Sequence, residues 1–105
     1  MVVKWFAKAQ QHWDEQLNYC IETFGLKTAL NSIQAVEEKI DRICEYPKSG
    51  TPEPLLKGEK QVYRFVRIQS RIKLIYRYDE EQQIIYIVDV WNTRMSPENL
   101  TDGMK

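Results

Sequence analysis

Hydrophobic and polar positions follow two different rhythms along this chain of 105 residues, and the change comes at Pro47. Phe6, Ala9, Trp13, Leu17, Cys20, Ile21 and Phe24 recur at steps of three and four, the spacing of one apolar stripe on a helix. Gly25 follows at once and supplies the left-handed residue that closes such a helix. A second stripe predicts a second helix: Leu26, Ala29 or Leu30, Ile33, Val36, Ile40, Ile43 and Cys44. Its opposite side carries Gln34, Glu37, Glu38, Asp41, Arg42 and Glu45, and Tyr46-Pro47 stops it. Two long helices with almost no linker must fold back as an antiparallel hairpin. Residues 47–60, PKSGTPEPLLKGEK, read as a loop because they hold Pro47, Pro52, Pro54, Gly50 and Gly58. After them the period becomes two. VYRFVRI (62–68), RIKLIYRY (71–78) and QIIYIVDVW (83–91) are strands, joined by hairpin-length connections at Gln69-Ser70 and Asp79–Gln82. Val2–Trp5 is a further short strand. The expected fold is one α+β domain over residues 1–105. A short N-terminal strand precedes a long antiparallel helical hairpin, which packs on one face of a small, mainly antiparallel sheet ending in a three-stranded meander.

Face assignment follows from the loops. A two-residue loop at 69–70 sets Tyr63 opposite Tyr76, Phe65 opposite Leu74 and Arg67 opposite Ile72, all on one face. A four-residue second loop adds Ile85 and Ile87, and this face is expected beneath the hairpin. The other face then holds Val62, Arg64, Val66, Ile68, Arg71, Lys73, Ile75, Arg77, Ile84, Tyr86, Val88 and Val90. It is aliphatic in the middle and basic on its flanks. The pattern leaves no segment to cover it, so the expected cover is another molecule. A one-residue change in loop length would move strand 83–91 to the opposite phase.

Composition narrows the chemistry. With 43% hydrophobic and 29% charged residues the chain is of the globular kind, and no apolar run reaches the ~18 residues of a membrane span. MVVKWFAKAQQHW lacks the apolar core and cleavage site of a signal peptide, so a cytoplasmic location is expected. A formal net charge of zero argues against a general nucleic-acid binder. Yet Lys57, Lys60, Arg64, Arg67, Arg71, Lys73 and Arg77 stand against Glu59 alone between residues 57 and 78, a local positive field on a neutral chain. Cys20 and Cys44 fall on the helix stripes without metal-ligand spacing and read as buried free thiols. His12 has no Asp, Ser or Cys at a suggestive spacing and reads as a surface or boundary residue. No nucleophile elbow, phosphate loop or zinc-protease motif is present, and no metal or cofactor is implied. What remains is a set of cationic groups among tyrosines. Such groups can stabilise a phosphoryl transition state or bind a carboxylate-rich peptide. The candidate partner-binding residues are Val62, Val66, Arg71, Lys73, Ile75, Arg77 and Tyr86.

Several residues in order carry a family likeness. Ala9, Tyr19 and Phe24-Gly25 lie on the first helix and its turn, and Ala29 lies early in the second. Pro47 and Gly50 form a Pro-x-x-Gly after it, followed by Tyr63-Arg64, Ile75-Tyr76, and Arg94 with Pro97. Over residues 1 to about 100 this order resembles the RelE/ParE superfamily of toxins from type II toxin–antitoxin systems. The resemblance implies a toxin held inactive by a co-expressed antitoxin that wraps an extended or helical segment onto it. RelE-like members cut mRNA on the ribosome, whereas ParE-like members poison DNA gyrase without known hydrolytic chemistry of their own. A RelE-type site uses lysines before the first meander strand, an arginine on it, an arginine ending the last strand and a tyrosine near the C-terminus.

Lys57 and Lys60, Arg64, and Arg94 match the first three of those roles, but the tail MSPENLTDGMK has no tyrosine. A second ribonuclease variety needs a histidine near the C-terminus, and none follows His12. The long hairpin also resembles the ParE-like type. The expected function is thus a ParE-like gyrase poison with an antitoxin as partner, as a homodimer or a toxin–antitoxin hetero-oligomer, away from any membrane. The alternative is a ribosome-dependent mRNA endoribonuclease, and a third reading is a non-toxic partner-binding module, because fold does not fix function. Arg94 has a structural reading too. Ser96 can cap a short turn with Pro97 at its first position, and Arg94 can brace it by pairing with Asp89 or Glu98.

Overall fold

The computed structural model describes residues 1–69 and 71–93. Arg94 and the expected Ser96-Pro97 turn lie outside the described residues. In chain order the elements are β1 (Val2–Trp5), α1 (Ala7–Phe24), α2 (Leu26–Glu45), β2 (Thr51–Pro52), a single 3-10 turn (Pro54–Leu56), β3 (Arg64–Gln69), β4 (Ile72–Asp79) and β5 (Ile84–Asn92). The linker between the helices is Gly25 alone. Its φ of +93° favours glycine, its N–H donates to the Ile21 carbonyl at 3.0 Å, and its own carbonyl accepts from the Ala29 N–H at 3.3 Å. One residue therefore closes one helix and opens the next.

The five strands form one sheet in the order β1-β5-β4-β3-β2, with β1 parallel to β5 and every other pair antiparallel. The α+β architecture is thus the one the sequence predicts, with a two-residue edge strand added from within the expected loop. The register differs. Phe65 pairs with Ile75, Val66 with Leu74 and Arg67 with Lys73, one residue away from the two-residue-loop reading. The cause is an irregularity between Arg67 and Gln69, where Ile68 is left without an opposite number. An odd slip reverses every side chain of a strand, so Val66 and Ile68 turn to the helices while Tyr63 and Phe65 turn away. A second bulge lies in β5. Ile75 pairs with Asp89 but Tyr76 pairs with Ile87, which leaves Val88 unopposed. Val90 then faces the helices, contrary to the alternating reading, while Ile85 and Ile87 lie there as expected.

The main core is Ala9, Trp13, Val36 and Ile43 of the hairpin against Ile72, Leu74, Tyr76, Ile85, Ile87 and Val90 of the sheet. Leu17, Ile33 and Ile40 pack at its margin. Beyond them the helical stripe continues without cover: Phe24 is 63% exposed, Leu26 61%, Leu30 56% and Ile21 41%. These positions, read from spacing as core, are left exposed at the Gly25 end of the hairpin.

A compact hydrogen-bonded knot anchors the chain leaving α2. The Tyr76 hydroxyl donates to the Pro47 carbonyl at 2.8 Å and accepts from the Gly50 N–H at 2.9 Å. Arg64 Nη1 donates to the Gly50 carbonyl at 2.9 Å. A Cβ on Gly50 would lie 2.5 Å from the Tyr76 hydroxyl oxygen, so only glycine fits. Burial pushes the Tyr76 phenol above its ordinary value of 10.0, and the Gly50 N–H and the Arg64 charge pull the other way without cancelling it. The folded chain thus keeps this proton where the unfolded chain has lost it. Stability from Tyr76 is fully present below pH 10 and falls as pH rises through the raised folded-state value. Tyr76→Phe is expected to cost about 1–3 kcal/mol at neutral pH, through the lost acceptor and donor, and to flatten the alkaline loss. Urea unfolding of both proteins at neutral and alkaline pH measures the two effects.

Candidate functional site

The sheet face away from the helices carries Phe65, Lys73, Ile75, Arg77, Tyr86, Val88 and Trp91, and the chain covers its middle itself. Thr51–Pro52 pairs with Phe65 and Arg64, and the Glu53 N–H donates to the Tyr63 carbonyl at 2.8 Å. Pro54, whose fixed φ suits a helical first position, then opens the 3-10 turn, with the Glu53 carboxylate accepting from the Leu55 N–H at 3.4 Å. This turn sets Leu56 into a second core with Tyr63, Ile75, Val88 and Trp91, flanked by Phe6, Phe65 and Tyr86. The expectation that no segment remained for this face is corrected. The strap at residues 51–56 occupies it, and the Leu55-Leu56 pair inside the proline-rich stretch was the signal for it.

Charge on this face is partly neutralised. Lys73 Nζ lies 3.1 and 3.3 Å from the two carboxylate oxygens of Glu53, and both residues are buried. The same ammonium sits 4.1 Å from the Phe65 ring centre and 5.6 Å from that of Trp91. Arg77 stacks on Tyr86 at 4.2 Å and Arg67 on Phe65 at 5.8 Å. Burial raises the Tyr63 phenol; the neighbouring Arg77 charge opposes the rise and Glu59 adds to it. Next to the strap a cleft of about 480 Å³ is lined by Pro52, Pro54, Leu56, Lys57, Val62 and Tyr63 among others.

The sequence-derived candidates are dispersed accordingly. Of the partner-binding set, Val62 is 62% exposed beside the cleft, Arg71 is exposed in the turn before β4, and Arg77 and Tyr86 are half-buried against each other. Ile75 is fully buried and Lys73 is held by Glu53, so neither lies open on the surface; Val66 packs on the helix side. Of the four residues matched to a cleaving site, Arg64 lies on the helix side, paired in register with Tyr76 and bonded to Gly50. Lys57 and Lys60 are exposed after the strap, and Lys57 lines the cleft on the other side. Arg94 lies outside the described residues.

One charged cluster is invisible in sequence. His12 Nδ1 lies 2.6 Å from Asp89 Oδ1, and Lys8 Nζ lies 3.4 Å from Oδ2 of the same fully buried carboxylate. Lys8 and His12 are one helical turn apart on α1, so both reach the same carboxylate. Asp89, one of the partners expected for Arg94, is thus engaged by α1. A pocket of about 190 Å³ beside it is lined by His12, Glu15, Gln16, Ile72, Val90 and Asn92. Sequence offered no hint, because the two groups stand 77 positions apart. Of the two cysteines, both free, Cys20 is buried and Cys44 half-buried, its thiol raised chiefly by that burial. Among the described residues no group of three or more potential metal ligands converges.

The buried Lys73–Glu53 pair makes a sharp expectation. Lys73→Met leaves a buried carboxylate without its cation and should cost about 3–5 kcal/mol. Adding Glu53→Gln should restore most of it. Denaturant melts of the three variants test whether the strap is held by this pair.

The family model for the "ParE toxin of type II toxin-antitoxin system, parDE" matches residues 3–97. Among solved structures, the chromosomal ParDE toxin–antitoxin system from P. aeruginosa superposes with a TM-score of 0.67 at 18% identity, over 88% of this chain and 95% of that one. A YoeB/ParE toxin from Agrobacterium tumefaciens gives 0.62 at 21% identity, over 88% and 98%. No match to a curated protein is found.

Proposed function

The chain belongs to the ParE toxin family of type II toxin–antitoxin systems, and on that premise we propose that it poisons DNA gyrase and is silenced by a cognate antitoxin. The family match over residues 3–97 is the observation that carries the reading. The chemistry of the site supports it against mRNA cleavage. Strand cleavage by a ribose 2′-hydroxyl needs a proton acceptor and a donor beside the charge. Arg64, the arginine that such a site would place on β3, is bonded to the Gly50 carbonyl, and Lys57 lies on the opposite side of the sheet. No tyrosine or histidine follows Trp91 in the sequence to move a proton.

The antitoxin is proposed to seat on the strap side. Val62 and the cleft around Leu56 and Tyr63 offer apolar purchase, and Lys57, Lys60, Arg71 and Arg77 offer charge to an acidic segment. Ile75 and Lys73 support this surface from below rather than meeting the partner. No helix among the described residues is long and apolar enough to cross a membrane, and a cytoplasmic site of action is part of the proposal.

Expression of the chain alone in bacteria is the test, with gyrase-dependent DNA breaks and ribosome-bound transcripts read side by side. Breaks without transcript cuts are expected. Site-specific mRNA cuts that Arg64→Ala abolishes at unchanged melting would establish the ribonuclease instead. Hydrogen exchange of the free chain against its complex should show protection at residues 52–63 and 71–77.

A further inference from the structure

We infer that the strap at residues 51–56 is a latch, which opens by itself while the rest of the fold stays closed and bares the second core to solvent. Its hold on the sheet is slight. Of residues 51–60 only Glu53 and Leu56 are buried, and Leu55 between them is 47% exposed. β2 is two residues long, and its Pro52 has no N–H to give to the ladder. The bonds of the 3-10 turn are local. The Leu56 N–H donates to the Glu53 carbonyl at 3.1 Å and the Lys57 N–H to the Pro54 carbonyl at 3.4 Å. They tie the strap to itself and not to the sheet.

Two buried features favour the open state. The Glu53–Lys73 pair keeps two charges from water, and attraction inside a protein does little more than offset such desolvation. Opening hydrates both groups, so the pair sets where the strap seats while adding little to how firmly it stays. The second feature is Trp91. Its indole Nε1 is buried and, among the described residues, without an acceptor. An unmet donor weighs on the closed state alone, since water meets it once Leu56 lifts away. The limits of the moving unit are fixed by its neighbours. Before it, Gly50 is held by the Tyr76 hydroxyl and by Arg64; after it, Arg64 begins β3. The main core lies on the other side of the sheet and keeps its packing when the strap leaves. What opening bares is an apolar face of Phe65, Ile75, Val88 and Trp91, with the Lys73 ammonium among them. The same residues are thus core in one state and surface in the other. This inference does not depend on the toxin reading.

Hydrogen exchange of the purified full-length chain, read by NMR across a series of low urea concentrations, tests it. Corrected for intrinsic rates, the Glu53 and Leu56 amides should exchange at least about a hundredfold faster than those of Leu74 and Tyr76 in β4. Their rates should depend little on urea, because a local opening exposes little surface. The Trp91 indole proton, assigned by its loss in Trp91→Phe, should exchange with the strap and not with β4. Replacing the buried pair by apolar side chains, Glu53→Met with Lys73→Met, should slow strap exchange about tenfold. Should that variant fail to fold, Leu56→Ala should speed strap exchange about tenfold or more. Strap amides that share the rate and the urea dependence of β4 overturn the proposal, as does a Trp91 indole proton that follows β4. So does strap exchange that is no slower in the double variant, or no faster in Leu56→Ala.

Discussion

The Tyr76 hydroxyl decides how the two halves of this protein join. It stands at full burial inside the main core, yet it holds the Pro47 carbonyl and the Gly50 N–H, the first groups after the helical hairpin. A phenol in apolar surroundings needs both partners, since an unmet donor or acceptor there would cost about 1–3 kcal/mol. The chain leaving α2 is therefore bent onto the sheet at a set point, and Arg64 secures it by bonding to the Gly50 carbonyl. From that point the strap has only the far sheet face to cross. Pro47, Gly50, Arg64 and Tyr76 are also among the residues on which the family likeness rests. Their meeting place accounts for the likeness as architecture.

Once the strap is down, the electrostatics of the face change. A row of cations that would be free on an open sheet becomes a graded set: Lys73 neutralised and buried by Glu53, Arg77 and Arg67 stacked on aromatic rings, Lys57 and Lys60 exposed at the rim. Charge thus collects around an apolar cleft instead of across a flat surface. Such an arrangement suits an acidic, apolar segment with one preferred seating. Arg64 is turned to the other side of the sheet, away from this cleft.

The hairpin has its own two ends. Near the sheet it is fastened by the core and by Lys8 and His12 on the Asp89 carboxylate. Toward Gly25 its apolar stripe is bare. One pattern of side chains thereby serves as core at one end and as surface at the other.

Periodicity alone determined the elements. Both helices, the single glycine between them, the three meander strands and the N-terminal strand all follow from local spacing and turn chemistry, as does the α+β class. The residues that carry the family likeness were legible for the same reason. The faces were not. A sheet reads its side chains with a period of two, so the unpaired Ile68 and Val88 reversed Val66, Phe65 and Val90 relative to the alternating pattern. Bulges depend on what packs above and below, which no local window contains. The same holds for the strap, whose prolines read as open loop until Leu56 found its place in the second core, and for His12 with Asp89. It holds for the Gly25 end of the hairpin as well, since a helix pattern records which side is apolar but not how much of it a neighbouring layer covers. Contacts between distant segments, and the length over which layers overlap, are properties of the assembled layers and are decided only there.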